Sequence, residues 1–507
     1  MLSDKYDDRS VVVGVDLGTQ GIKVVLYDFR LRHEVATARS SLALFVGEDG
    51  AREQAADWWL DGLRECFAAL PSTQKQRALA LAVSGQQHGL VALGEDGRVV
   101  APVKLWNDTS TLAECDEIEA ILGGREAVIR LIGNPILPGY TASKLLWLKK
   151  NRPTAYNEMR HILLPHDYLN YYFTGRITAE AGDASGTGFF DIRRRQWSKE
   201  VLRAIDDSRD LLLALPDICP SYESIGCVKS NIAAELGIPA DVMVAVGGGD
   251  NMMAAIGTGA VFPGALTISL GTSGTLFAYA ETPTVSDQGD FASFCSSTGG
   301  YLPLACSLNC TSATELVRAT MGINLDQFDR NLQASEVGAG GIVALPFFGG
   351  ERTPECPLGT GTFFGLTSLN TSACNLMRAV VEATVFSLRW GFESMQRQGL
   401  VSRVATVTGG GAHSKEWLQI IADVLDLEVK VSPHGEAAAF GAALQALWCL
   451  EHSRGRATSI ADIVSSHLEF NGERIFTPQR QRVATYTEIF RRYQDLVIMM
   501  QARWAHR

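Results

Sequence analysis

The 507-residue chain is predicted to be an α/β protein of two like halves facing a central cleft. Its length, a motif that occurs twice, and glycine-rich turns at the ends of buried strands predict this. A chain this long outgrows a single hydrophobic core, so two domains of a few hundred residues are expected. The motif is an apolar run that breaks into a tight polar turn. Its first copy is Val11-Val12-Val13-Gly14-Val15-Asp16-Leu17-Gly18-Thr19-Gln20-Gly21. Its second, half a chain later, is Leu266-Thr267-Ile268-Ser269-Leu270-Gly271-Thr272-Ser273-Gly274. Another apolar stretch follows each copy, at 22–27 and 275–279, so each reads as a β-hairpin with Gly-Thr-x-Gly in its turn. Successive N–H groups in such a turn can converge on an anion, and two facing turns would grip a polyphosphate from both sides. The copies differ where Asp16 corresponds to Ser269. A carboxylate repels a neighbouring phosphate unless a metal lies between them, which marks Asp16 as metal-associated.

Between the hairpins the sequence predicts a helix over 57–70 and a buried strand over 78–84 that ends in Gly85-Gln86-Gln87-His88-Gly89. Polar groups at the carboxyl end of a buried strand are where α/β folds place ligands. Lys104-Leu105-Trp106-Asn107-Asp108 follows, then helices near 111–121, 143–150 and 166–173, the last closed by Thr174-Gly175. A strand over 241–246 delivers Gly247-Gly248-Gly249-Asp250-Asn251. In the second half a strand over 404–408 delivers Gly409-Gly410-Gly411-Ala412, and a helix covers 415–425. Each half is therefore expected to run from hairpin turn to strand, three glycines and helix. The interval is longer in the first half, and the extra chain would build the substrate side. Pro263-Gly264 punctuates the boundary, placing the halves at 1–262 and 263–455 with an extension over 456–507.

The formal net charge of −11 leaves no basic stripe to neutralise phosphates, so nucleic acid is not an expected partner. No apolar stretch approaches the ~20 residues of a membrane span, so no membrane partner is expected. Residues 1–10 are charged and contain no apolar signal core. The ten cysteines include no C-x-x-C pair, and scattered cysteines point to a reducing, cytoplasmic setting. His161 and His166 are spaced unsuitably for one helix face, so they are read as core or surface residues rather than a metal site.

No Gly-Lys dipeptide occurs, which excludes a P-loop, and Gly257-Thr258-Gly259 lacks the third glycine of a dinucleotide fingerprint. Asp250 after three glycines could cap a helix. It could equally accept a proton from a substrate hydroxyl, because the glycines let a ligand approach closely. Gln87 and His88 could be buried polar residues satisfied by backbone, or substrate contacts. Trp106 could simply pack, although Asn107 and Asp108 beside it make a purely structural role less comfortable. Gly409 to Gly411 make either a tight strand-to-helix turn or a flat surface for a base or ribose.

Taken together, these motifs resemble the FGGY carbohydrate kinases from about residue 11 to residue 450. Leu105-Trp106-Asn107-Asp108, Lys144-Leu145-Leu146-Trp147, Leu164-Pro165-His166-Asp167-Tyr168-Leu169 and Gly350-Glu351-Arg352-Thr353-Pro354 add to the glycine motifs quoted above. The resemblance implies an actin-like ATPase fold, two ribonuclease-H-like domains around a deep cleft, with sugar on the first and nucleotide on the second. It implies Asp250 as general base and Asp16 beside Mg2+. Sugar contacts would come from Gln87, His88, Trp106, Asn107, Asp250 and Asn251, and ATP contacts from Thr19, Gln20, Gly271, Thr272, Gly410, Gly411 and Ala412. The implied activity is ATP-dependent phosphorylation of D-xylulose to D-xylulose 5-phosphate. Alternatives are a kinase for another ketose or a polyol, such as ribulose, or a non-kinase actin-like ATPase. Gln87 stands where the resembling enzymes carry methionine, adding a donor and an acceptor to the sugar wall. Glycerol-type members would have an Arg-Glu pair in place of Gln87-His88. A homodimer is left open.

Overall fold

A computed structural model describes residues 9–470 and 474–504. It is an α/β molecule with two large mixed sheets. The first sheet starts with the hairpin β1 (Val11–Leu17) and β2 (Gly21–Asp28), continues to β3 (His33–Ser41), and then passes through helix α1 (Ala56–Ala69) to β4 (Ala78–Gly85). Every residue of β1 and β4 is buried, as expected of strands covered on both faces. A long excursion follows, carrying α2 (Thr141–Asn151) and α3 (Pro165–Thr174). The chain then returns as β5 (Ser224–Cys227) and β6 (Met243–Ala245) and leaves through α4 (Asp250–Thr258).

The second sheet opens with the hairpin β7 (Ala265–Leu270) and β8 (Gly274–Ala278), extended by β9 (Ala292–Cys295) and β10 (Tyr301–Ser307). Helix α5 (Ala373–Arg397) leads to β11 (Val404–Thr408), α6 (Lys415–Leu425) and β12 (Glu428–Val431). Helix α7 (Ala437–Ser453) follows, and a short strand β13 (Ile475–Phe476) and the helix α8 (Arg480–Trp504) end the described chain. Within the segment after 455, β13 adds to the edge of the second sheet, and Tyr486, Phe490 and Tyr493 of α8 enter that half's core.

The sheet orders reveal the repeat. In the first, β3-β2-β1-β4-β6 runs antiparallel, antiparallel, parallel, parallel; in the second, β10-β8-β7-β11-β12 does the same. The hairpins are thus equivalent, as the sequence predicts. The two triple-glycine segments are not. Gly409 to Gly411 follow β11, which neighbours the hairpin, so their counterpart is Gly85 to Gly89 after β4. Gly247 to Gly249 follow the next strand out, β6. Similar turn chemistry at unlike sheet positions produced the apparent repeat. The turn glycines Gly18, Gly21, Gly271 and Gly274 also lie outside the left-handed region. At Gly21 the requirement is space, since a Cβ there would stand 2.6 Å from the Ser40 carbonyl oxygen.

Helices α4 and α7 cross in close contact beneath both halves. A Cβ on Gly257 would lie 2.0 Å from the Ala437 carbonyl oxygen, and one on Gly441 would lie 1.8 Å from that of Met253. Gly14 of β1 is as tightly opposed by Ala439, with 1.8 Å from an added Cβ to its carbonyl oxygen. Gly441→Ala is therefore expected to destabilise the protein by about 1–3 kcal/mol or more, because backbone rather than a movable side chain must shift. Gly435→Ala, at an open exposed position, serves as the control. A lowered thermal midpoint for the first variant alone checks the crossing.

Candidate active site

A cavity of about 260 Å³ lies between the halves. Among the residues lining it are Thr19, Gln87, His88, Trp106, Asp250 and Asn251 from the first half, and Gly271 and Arg352 from the second. Adjoining it is a wider cleft lined by both hairpin turns, where Thr19 and Gln20 face Thr272 and Ser273 beside Asn107. Asn107 thus borders the outer cleft rather than the inner cavity. Gly410, Gly411 and Ala412 line neither. They form a short 3-10 turn at the end of β11, level with the Gly271 turn because Ser269 pairs with Thr408.

The first turn is held by a chain of uncharged groups. The Gln54 side-chain amide donates to the carbonyls of Thr19 and Ala43, both at 2.8 Å, and its oxygen accepts from Trp59 Nε1 and Gln86 Nε2, both at 3.0 Å. Thr19 Oγ1 donates to Gln86 Oε1 at 3.0 Å and accepts from Trp106 Nε1 at 2.9 Å. Trp106 is therefore more than packing: its ring borders the cavity while its N–H fixes the threonine. Such a satisfied network rigidifies the loop it ties.

Asp250 is the first residue of α4, and Gly249, not Asp250, occupies the cap position. Its Oδ1 accepts from the Asn251 backbone N–H at 2.7 Å and Asn251 Nδ2 at 3.0 Å. Asn251 Nδ2 also donates to Gln87 Oε1 at 3.0 Å. The glycines allow this convergence. Gly247 adopts φ +73°, and a Cβ on Gly249 would sit 2.9 Å from Gln87 Cγ. Burial pushes the Asp250 carboxyl up to about 8, and the charges of Asp16 and Asp183 add to the rise against the pull of Asn251. Asp16 accepts from Ser84 Oγ at 2.8 Å, and burial raises it too, with Lys23 opposing.

The remaining wall is aromatic. The His88 ring lies 4.7 Å from that of Tyr140 and 5.7 Å from that of Phe294. Its backbone is at φ +66°, and its carbonyl accepts from Lys144 Nζ at 2.7 Å and Thr141 Oγ1 at 3.1 Å. Burial, with Lys144 and Arg352 adding to it, holds the imidazole well below the usual histidine range, so it is neutral at pH 7. The Lys104-to-Asp108 motif divides its labour: Lys104 Nζ pairs with Asp108 at 3.0 Å and with Glu53 at 3.2 Å, which braces the loop that presents Trp106. His166 is a core residue, its Nδ1 2.5 Å from Asp183 Oδ2 and its Nε2 3.1 Å from Asp167 Oδ1. Among the described residues no group of three or more His, Cys, Asp or Glu is placed to hold a metal. Sequence reasoning missed Tyr140, Phe294 and Arg352. Arg352 lay within a recognised motif, but nothing in the sequence indicated where that loop would land.

Two topologically matched α/β halves whose hairpin turns face one another across a cleft define the actin-like ATPase fold. The chain belongs to the FGGY family of carbohydrate kinases: the family's N-terminal domain matches residues 11–257 and its C-terminal domain residues 266–450. It is 38% identical to the xylulose kinase of Haemophilus influenzae, over 95% of this chain and 98% of that one. It is 32% identical to the xylulose kinase of Escherichia coli, over 96% and 99%. A crystal structure of a xyloylose kinase from Brucella ovis superposes with a TM-score of 0.88 at 31% identity, covering 97% of this chain and 99% of the other. No helix among the described residues is long and apolar enough to cross a membrane.

A carboxyl raised from 3.8 to about 8 favours folding when protonated. Its contribution is fully present below about pH 4 and is lost as pH rises through about 8. Asp250→Asn cannot titrate, so its thermal midpoint is expected to gain on that of the wild type steadily from pH 5 to pH 8.5. A constant difference across that range would show that Asp250 ionises normally.

Proposed function

We propose that the protein transfers the γ-phosphoryl group of ATP to the terminal hydroxyl of D-xylulose, giving D-xylulose 5-phosphate. The observation that carries the reading is Asp250, a proton-avid carboxylate lining a hydroxyl- and aromatic-walled cavity that residues of both hairpin turns also line. The similarity to xylulose kinases along nearly the whole chain supports the choice of sugar.

The sugar binds in the inner cavity against Gln87, His88, Trp106 and Asn251, with its terminal hydroxyl on Asp250. Asn251, steadied by Gln87, aims the carboxylate; Asp250 takes the hydroxyl proton as the oxygen attacks. The ATP phosphates lie in the outer cleft between Thr19-Gln20 and Gly271-Thr272, and the adenosine lies along Gly410 to Ala412. Catalysis is mainly alignment and charge stabilisation. Asp16 suits Mg2+, which takes one or two carboxylates and completes its shell with water and substrate phosphates. When bound, the ion neutralises charge on the phosphate oxygens. We place the sugar domain at 1–262 and the nucleotide domain at 263–455. A cytoplasmic setting fits the ten cysteines, all free thiols.

The test is a panel of ketoses, aldoses and polyols in a coupled ADP-release assay. The highest kcat/KM is expected with D-xylulose, and ADP release indifferent to every sugar would overturn the kinase reading. Asp250→Ala is expected to lower kcat at least ~10²-fold in a well-folded protein. Asp16→Asn is expected to weaken turnover and shift its magnesium dependence while leaving sugar affinity unchanged. Unaltered magnesium titration in that variant would remove Asp16 from the metal.

A further inference from the structure

Arg352 is a charged group on the inner cavity for which the reaction above has no role. It comes from the second half, whereas Gln87, His88, Trp106, Tyr140, Asp250 and Asn251 all come from the first. Its loop is firmly mounted. The carboxylate of the preceding Glu351 accepts from Leu308 N at 2.6 Å, Arg352 N at 2.8 Å, and Ser307 Oγ and Asn309 Nδ2, both at 3.0 Å. Glu351 is thereby occupied and buried, and among the described residues no carboxylate pairs with the Arg352 guanidinium. The guanidinium reaches the first half near Gly139, where its Nη2 would be 3.5 Å from an added Cβ, beside the Trp106 carbonyl. Its field falls on His88, Tyr140 and Cys306, while the charges that act on Asp250 are those of Asp16 and Asp183.

A guanidinium offers five donors and no acceptor. The side-chain contact of Arg352 is with the Cys306 thiol, a weak partner, and with no carboxylate on it among the described residues it retains donors for an oxygen that only accepts. The aromatic neighbours His88, Tyr140 and Phe294 supply few alternatives. We propose that Arg352 reads the carbonyl end of the sugar: with the terminal hydroxyl on Asp250, its guanidinium donates to the carbonyl oxygen and its neighbour, setting a preference for a ketose over the matching polyol. A polyol presents a hydroxyl there instead, which can accept from the guanidinium only with its hydrogen turned away and must find that hydrogen another acceptor. The proposal rests on the sugar-kinase reading, and it makes a residue of the nucleotide half a determinant of sugar choice.

The test compares the wild type, Arg352→Met and Arg352→Lys on D-xylulose and on xylitol at saturating MgATP, with thermal midpoints as the folding control. Arg352→Met is expected to lower kcat/KM for D-xylulose about 10–100-fold, chiefly through the sugar KM, and to shrink the ketose-to-polyol ratio about tenfold. The KM for ATP is expected to stay within about twofold of the wild type, and Arg352→Lys to recover part of the ratio. Equal losses on both sugars, with or without a lowered midpoint, overturn the proposal, as does an effect confined to the ATP KM or a wild type that prefers xylitol. A wild type that prefers another carbonyl sugar defeats the D-xylulose reading alone. The same ratio is then taken between that sugar and its reduced polyol.

Discussion

The close crossing of α4 and α7 is the constraint on which the rest of the molecule depends. Helices normally keep 8–10 Å between their axes because side chains intervene. Here Gly257 and Gly441 remove those side chains, and backbone meets backbone. Asp250 begins α4, so the position of the carboxylate is fixed by the same helix that joins the halves. Helix α7 lies in turn against β1, with Gly14 opposed to Ala439, and β1 ends at Asp16 and the first turn. Asp250, Asp16 and the first hairpin turn are therefore referenced to one packed junction rather than to three independent loops.

Burial sets the electrostatics of the site. It raises Asp250 and Asp16, lowers His88, and drives the Lys144 amine well below its usual range. Lys144 donates to the carbonyls of His88 and Gly139 at 2.7 and 2.6 Å, so it fixes backbone rather than supplying charge to a ligand. With His88 neutral, the inner cavity presents a polar but weakly charged wall on the first-half side. That suits a neutral polyhydroxylated molecule, with Arg352, among the described residues, contributed as a strong donor from across the cleft.

The sequence made the hairpins, the strand 404–408 and the helix 415–425 legible because their hydrophobic periods and turn residues agree with the final structure. That Asp250, Gln87, His88, Trp106 and Asn251 would gather around one cavity was also legible, since strand ends and glycines mark places where ligands approach. The equivalence of the triple-glycine turns was not. Strand order depends on non-local pairing, which no turn sequence encodes. Tyr140, Phe294 and Arg352 were hidden for a related reason. They reach the cavity from separate segments, and only tertiary packing brings an aromatic ring or a loop arginine to face residues far away in the chain. Gln87 proved more particular than a substrate wall, because its amide oxygen is already engaged in orienting Asn251.

The mount of the first turn carries a consequence of its own. Gln54, Gln86, Thr19, Trp59 and Trp106 contain no group that gains or loses a proton in the physiological range. The carboxylate across the cavity does titrate there. Acidity can thus change the chemical state of Asp250 while Thr19, which lines the same cavity, stays in place. The mount of the turn is indifferent to pH, and the carboxyl that shares its cavity is not.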